Sequence, residues 1–285
     1  MQTTVPMKTA TLNVPGASIY YEVRGAGPAL LMMPGGPADA GAFRNIAGPL
    51  AAHYTVVTYD PRGLSHSPLE GTLNDARIVQ IFADDAHRLL AAVTKEPAFV
   101  FASSGGATIS LELAARHPEQ VRTLVAHEPP SAVLQPDPAR ARIEMADIVQ
   151  TYRSAGIGPT MQKFMAHTRI RQAPPPPPPG EPTPEMREGM AQMQRNMDFW
   201  FRHYFQAIAD YEPDFDALKS GSTRIVPGVG DASRGELAHE GGLALARRLG
   251  TEAVVFPGAH GGFDTNAAEF AVKLQQVFGD RKKPR

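Results

Sequence analysis

Apolar positions along the chain fall into two alternating patterns. Short, nearly continuous apolar runs at 29–33, 54–59, 98–102, 121–127, 223–229 and 253–256 predict buried strands. Most are separated by longer segments of helical period. At the amino end, residues 9–14, a turn at Pro15-Gly16 and residues 17–24 predict a hairpin. The whole reads as an α/β fold with eight strands in a mostly parallel sheet and helices on both faces.

Between the sixth and seventh strands the pattern is interrupted for roughly ninety residues, against the ~4–6 of an ordinary connection. This interval predicts an inserted helical cap, dividing the chain into a core of 1–130 and 220–285 and a cap or lid of 131–219. Helices are predicted at 139–154, 159–170 and 184–211. The last is rich in Met and ends in Phe199-Trp200-Phe201 and Tyr204-Phe205. Such adaptable and aromatic side chains suit either the cap's own core or an apolar pocket over the sheet. The proline run 174–179 is expected to form a stiff polyproline II strut within the cap.

Composition narrows the function. With 28 basic and 29 acidic residues the net charge is −1, which leaves no electrostatic footprint for nucleic acid or an anionic membrane. The chain has no cysteine, so thiol nucleophiles, disulfides and thiolate metal sites are excluded together. No apolar run approaches the ~18 residues of a membrane span, and the first ten residues lack a secretory pattern. A soluble, cytoplasmic protein acting on a small molecule is the expectation, with its oligomeric state open. The basic end 281–285 reads as a solvated tail.

The strongest local signal is Ala102-Ser103-Ser104-Gly105-Gly106, which follows the strand at 98–102 and precedes a helical segment at 107–117. A serine on a tight strand-to-helix turn needs small neighbours, here Ala102 and Gly106, because the backbone passes close on both sides. Ser104 would stand exposed at the helix's positive end as a nucleophile, with the Gly105 N–H as an oxyanion donor. The loop after the third strand, Met33-Pro34-Gly35-Gly36-Pro37, offers the Gly36 N–H as a second donor; Pro37 has none to offer. Downstream, Pro257-Gly258-Ala259-His260-Gly261-Gly262 sets a histidine between glycines after the eighth strand, where a general base belongs. No His-Glu-x-x-His pair is present, so no metal site is predicted, and acyl transfer needs no cofactor.

These motifs, together with Asp60-Pro61-Arg62-Gly63-Leu64-Ser65, resemble the α/β-hydrolase superfamily over roughly 18–130 and 223–278. In that superfamily the counterpart of Asp60 braces a turn. Tyr20-Tyr21-Glu22, Pro34-x-Gly36, Ser103-Ser104-Gly105 and His127-Glu128 are similar to the fungal lactonases that open zearalenone. The likeness implies Ser104, Glu128 and His260 as a catalytic triad, with Gly36 and Gly105 as the oxyanion hole. It also implies a serine hydrolase cleaving a small apolar ester or lactone through an acyl-enzyme.

By position alone two carboxylates compete for the acid. Asp231 follows the seventh strand at a spacing many hydrolases use. Yet with 223–229 as strand, Ser233 falls in the acid's place, which favours Glu128 after the sixth strand. The rival functions are a non-catalytic small-molecule receptor on the same fold and a cofactor-free perhydrolase or haloperoxidase.

Overall fold

A computed structural model describes residues 6–171 and 181–279. The proline run 174–179 and the basic tail lie outside these residues. The strands are β1 (Met7–Val14), β2 (Ala17–Arg24), β3 (Ala29–Met33), β4 (Thr55–Tyr59), β5 (Ala98–Ser103), β6 (Val121–His127), β7 (Arg224–Gly230) and β8 (Val254–Phe256). They form one sheet in the order β1-β2-β4-β3-β5-β6-β7-β8. β1 is antiparallel to β2, β2 is antiparallel to β4, and every other pairing is parallel. The order turns outward on both sides of β3 and β5, so the loops after these central strands open on the sheet's carboxyl edge, where α/β folds place their sites.

The helices are α1 (Arg44–Ala51), α2 (Ile78–Val93), α3 (Gly105–Arg116), α4 (Pro138–Ala155), α5 (Ile157–Thr168), α6 (Pro184–Phe199), α7 (Phe205–Asp210), α8 (Phe215–Ser220), α9 (Leu237–Leu249), α10 (Gly262–Thr265) and α11 (Ala267–Gly279). Helices α4 to α8 occupy the interval between β6 and β7. The segment expected as one long helix is α6 followed by a π-helical turn, Trp200–Tyr204, and then α7. The wider turn sets Trp200 and Phe205 edge to face at 5.1 Å.

Strand alternation splits the core in two, because successive side chains point to opposite faces. On β5, Ala98, Val100 and Ala102 pack on the side of α2, α3, α9 and the insertion. Phe99 and Phe101 pack on the side of α1 and α11. Two buried polar clusters brace the β4 end. Asp60 accepts from the Ala40 N–H and from His66, both at 2.9 Å, holding the turn as expected of it. Arg62 pairs through two N–H groups with Asp85 at 2.9 and 2.6 Å.

The insertion docks on the loops after β3 and β4. Asn196 of α6 donates to the Pro37 carbonyl at 3.1 Å and to the Ser65 hydroxyl at 2.9 Å, and accepts from the Ser65 N–H at 3.0 Å. A Cβ at Gly63 would stand 2.2 Å from the Phe199 ring, so that glycine admits the aromatic. Of the α6 methionines, Met197 packs against the core, as one of the two expectations has it, and the others do not. Met186, Met190 and Met193 face solvent, because their i, i+4, i+7 spacing puts them on one stripe away from the core.

His127, the last residue of β6, is fully buried among Phe101, Phe256 and Phe270 at ring separations of 5.6–6.2 Å. Burial pushes its imidazole down to about 4. The folded state therefore holds it neutral, while an unfolded chain takes up a proton near pH 6.5. The stability tied to this burial is complete above pH 6.5 and is lost as pH falls from there towards 4. His127→Phe should flatten that dependence. Urea unfolding at pH 7 and pH 5 is expected to show the variant losing about 2 kcal/mol less than the wild type across the interval.

Candidate active site

Ser104 stands between β5 and α3 with φ 57° and ψ −127°, a backbone geometry that costs on the order of 1–3 kcal/mol for a residue with a side chain. The surrounding packing holds it there. Its N–H donates to the His127 carbonyl at 2.9 Å, tying the turn to the end of β6. A Cβ on Gly106 would meet the carbonyl oxygens of Met33 and Pro34 at 2.5 Å, and one on Gly35 would meet the Ser103 carbonyl at 2.5 Å. The β3 loop and the turn after β5 are thus packed backbone on backbone, which is the physical reason for small residues at both places.

That close approach brings the two glycines named from the sequence together. A Cβ on Gly105 would lie 3.6 Å from the Gly36 nitrogen. Gly36 has φ +59°, and Gly105 begins α3 at its positive end. The Gly36 carbonyl accepts from the Tyr204 hydroxyl in the π turn of the insertion, and Trp200 lines the same cavity as this glycine. The insertion thus bears directly on the loop facing Ser104, which sequence patterns of its helices gave no means to read.

Glu128 follows β6 with φ 53° and is 0% exposed. Its N–H donates to the Gly228 carbonyl at 3.0 Å, which fixes the turn against β7. Oε2 accepts from His260 Nδ1 at 2.6 Å. Oε1 accepts from the Gly230 N–H at 2.8 Å and from the Ser233 hydroxyl. Burial alone would raise this carboxyl. The hydrogen bonds from His260 and Gly230 and the neighbouring imidazoles outweigh it and hold Glu128 well below the usual carboxylate range. It is therefore ionised at neutral pH. A proton on Nδ1, donated to this carboxylate, leaves Nε2 as the His260 nitrogen not engaged by Glu128.

Asp231 has a different place. It is exposed, and its Oδ1 accepts from the Gly258 N–H at 2.9 Å, which braces the loop after β8 that carries His260. Ser233 is buried against Glu128 and lies 3.0 Å from His239 Nδ1. Neither Ser233 nor His239 stood out in the sequence as a partner of the acid, since their contact with Glu128 is made only when the loop after β7 folds back on β6.

Ser104, Gly36, Gly105 and His260 all line one cavity of about 60 Å³. Its other walls come mainly from the insertion and are largely apolar, with Met145, Phe164, Trp200, Phe205 and Ile208 among them. Among the described residues, His127, Glu128 and His260 form the group whose possible metal-ligating atoms lie within 4.8 Å of one another. Both oxygens of Glu128 are already occupied by hydrogen-bond donors, so a metal would have to displace that array. No helix among the described residues is long and apolar enough to cross a membrane.

The family model for the alpha/beta hydrolase fold matches residues 28–206. The hydrolase YraK of Bacillus subtilis (strain 168) is 38% identical over 285 residues, covering 97% of this chain and 98% of that protein. Zearalenone hydrolase of Bionectria ochroleuca is 24% identical over 256 residues, covering 88% and 90% of the two chains. Among solved structures, a thermophilic esterase from Thermogutta terrifontis superposes with a TM-score of 0.70 at 16% identity, covering 95% of this chain and 98% of that one. The elbow at Ser104, the mostly parallel eight-stranded sheet and these matches place the chain in the α/β-hydrolase fold family.

Proposed function

We propose that the protein is a serine hydrolase that cleaves a small apolar carboxylic ester or lactone through an acyl-enzyme. The observation that carries this reading is the convergence on one cavity of a serine at a strained elbow, a histidine held by a buried carboxylate, and two backbone N–H donors. In the proposed cycle His260 Nε2 takes the proton of Ser104, and the alkoxide attacks the carbonyl carbon. The N–H groups of Gly36 and Gly105 receive the oxyanion. His260 then protonates the leaving alcohol, or the ring-opened alcohol of a lactone. Water, deprotonated by His260, releases the acid and restores Ser104. Glu128 fixes the tautomer and stabilises the imidazolium. No step calls for a metal or a cofactor.

The names of the relatives support an ester or lactone: zearalenone hydrolase and the thermophilic esterase above both share most of their length with this chain. The insertion supports an apolar substrate, since its side chains supply most of the cavity wall. We read it as a cap over the site. A cavity of about 60 Å³ admits little more than a small ligand, so larger substrates require the cap to shift. The balanced charge of the chain fits a cytoplasmic setting.

A fluorophosphonate probe tests the nucleophile. The wild type should be labelled and Ser104→Ala should not, with ester hydrolysis abolished and the circular dichroism spectrum retained. Equal labelling of the two would remove Ser104 from this role. The acid is tested by a pair of variants. Glu128→Gln should lower kcat by on the order of 10⁴ with KM little changed, while Asp231→Asn should stay within a few-fold of wild type. The reverse pattern would transfer the role to Asp231. Trp200, the single tryptophan and part of the cavity wall, should change its fluorescence when Ser104→Ala is saturated with substrate; an unchanged spectrum at saturation would place the substrate elsewhere.

A further inference from the structure

Behind the carboxylate that holds His260 stand two further polar side chains. The Ser233 hydroxyl, in the loop after β7, donates to Glu128 Oε1. His239 Nδ1, on the first turn of α9, lies 3.0 Å from the Ser233 oxygen and 3.6 Å from Glu128 Oε1. Ser233 is 0% exposed and His239 6%. Backbone packing builds this arrangement in. The Ser233 carbonyl accepts from the Glu236 N–H at 2.9 Å, closing the turn that leads into α9. A Cβ on Gly241 would collide with the Pro129 carbonyl, so α9 rests on the residue after Glu128. One on Gly230 would stand 2.9 Å from the Ser233 oxygen, and its absence leaves the hydroxyl room beside the acid.

A count of donors sets the direction of the chain. Ser233 has one hydroxyl hydrogen and three acceptors in reach: Glu128 Oε1, the Gly230 carbonyl at 3.1 Å and His239 Nδ1. The ionised carboxylate is the strongest of them. With the hydrogen on Glu128, Ser233 turns a lone pair to His239, and Nδ1 donates to it. Glu128 Oε1 is thus held by the end of a relay of donors, and Oε2 is left to His260 at 2.6 Å. The relay matters because the terminal torsion of a glutamate is soft. Residue type fits as well. Ser233 occupies the place where spacing after β7 would put an acid; a second carboxylate there would repel Glu128, whereas a hydroxyl donates to it.

We infer that Ser233 is a positioning residue for the catalytic acid, its hydroxyl aimed at Glu128 by His239, so that the carboxylate keeps His260 in the orientation that serves Ser104. Among the described residues, neither Ser233 nor His239 lines the cavity, so their effect falls on turnover and not on substrate binding. The inference rests on the serine-hydrolase reading above and extends it from the three reacting residues to the groups that hold them.

The test is steady-state hydrolysis of 4-nitrophenyl butyrate by a set of variants whose folding is checked by circular dichroism. Ser233→Ala should lower kcat by about 10- to 100-fold, the scale of a hydrogen bond to a charged group, with KM within a few-fold of wild type. His239→Leu should lower kcat several-fold, while His239→Asn, whose side-chain N–H2 can stand in for Nδ1–H, should keep most of it. Because His239 acts through Ser233, the double variant Ser233→Ala/His239→Leu should be no slower than Ser233→Ala alone. If Ser233→Ala does not fold, the His239 pair still decides the matter. A folded Ser233→Ala with wild-type kcat, a loss confined to KM, equal rates for His239→Leu and His239→Asn, or losses that multiply in the double variant would overturn the inference. Fluorophosphonate labelling separates the two readings. An unlabelled wild type defeats the serine mechanism, whereas a labelled wild type with an unchanged Ser233→Ala defeats only the role of Ser233.

Discussion

A single buried carboxylate organises the site. Glu128 is removed from water at the end of β6, where an unpaired charge would be strongly destabilising. Its two oxygens are satisfied by groups from three separate stretches of chain: the Gly230 N–H at the end of β7, Ser233 in the following loop, and His260 in the loop after β8. Satisfying this one charge therefore fixes the relative positions of the three outer strands' carboxyl ends. It also orients the imidazole towards the cavity. Ser104 is tied to the same point, because its N–H donates to the carbonyl of His127, the residue before Glu128.

Backbone packing sets the other half. The β3 loop and the turn after β5 approach so closely that a methyl group on Gly35 or Gly106 would collide with carbonyl oxygens. That contact places Gly36 beside Gly105 and holds Ser104 in its strained geometry. The insertion completes the enclosure: Tyr204 reaches the Gly36 carbonyl, and Asn196 bridges the loops after β3 and β4. The insertion is thereby joined by hydrogen bonds to the loop beside Ser104.

The polar content of the cavity is sparse and unequally distributed. Aromatic and aliphatic side chains from the insertion provide shape and dryness, which strengthen any hydrogen bond made inside.

Strand positions, helix periods and the Ser104 elbow were all legible in the chain because each depends on local constraints: alternation in a sheet, small residues at a tight turn, glycine where backbone passes backbone. The eight strands lie within one or two residues of where apolar runs place them. Spacing in the chain favours Glu128 over Asp231, since Ser233 falls where an acid after β7 would stand. The structure adds a reason spacing could not supply: once β6 and β7 pair in register, Glu128 points inward and meets His260, while Asp231 braces an exposed turn. His239 carried no motif, and Met186, Met190 and Met193 of α6 take neither place the sequence offered them, cap core or pocket, but face solvent. The sheet, the insertion and the residues of the elbow follow from local pattern in the chain. The partners of the buried acid were settled only by the packed fold, because long-range packing chooses which face of a helix or turn is removed from water.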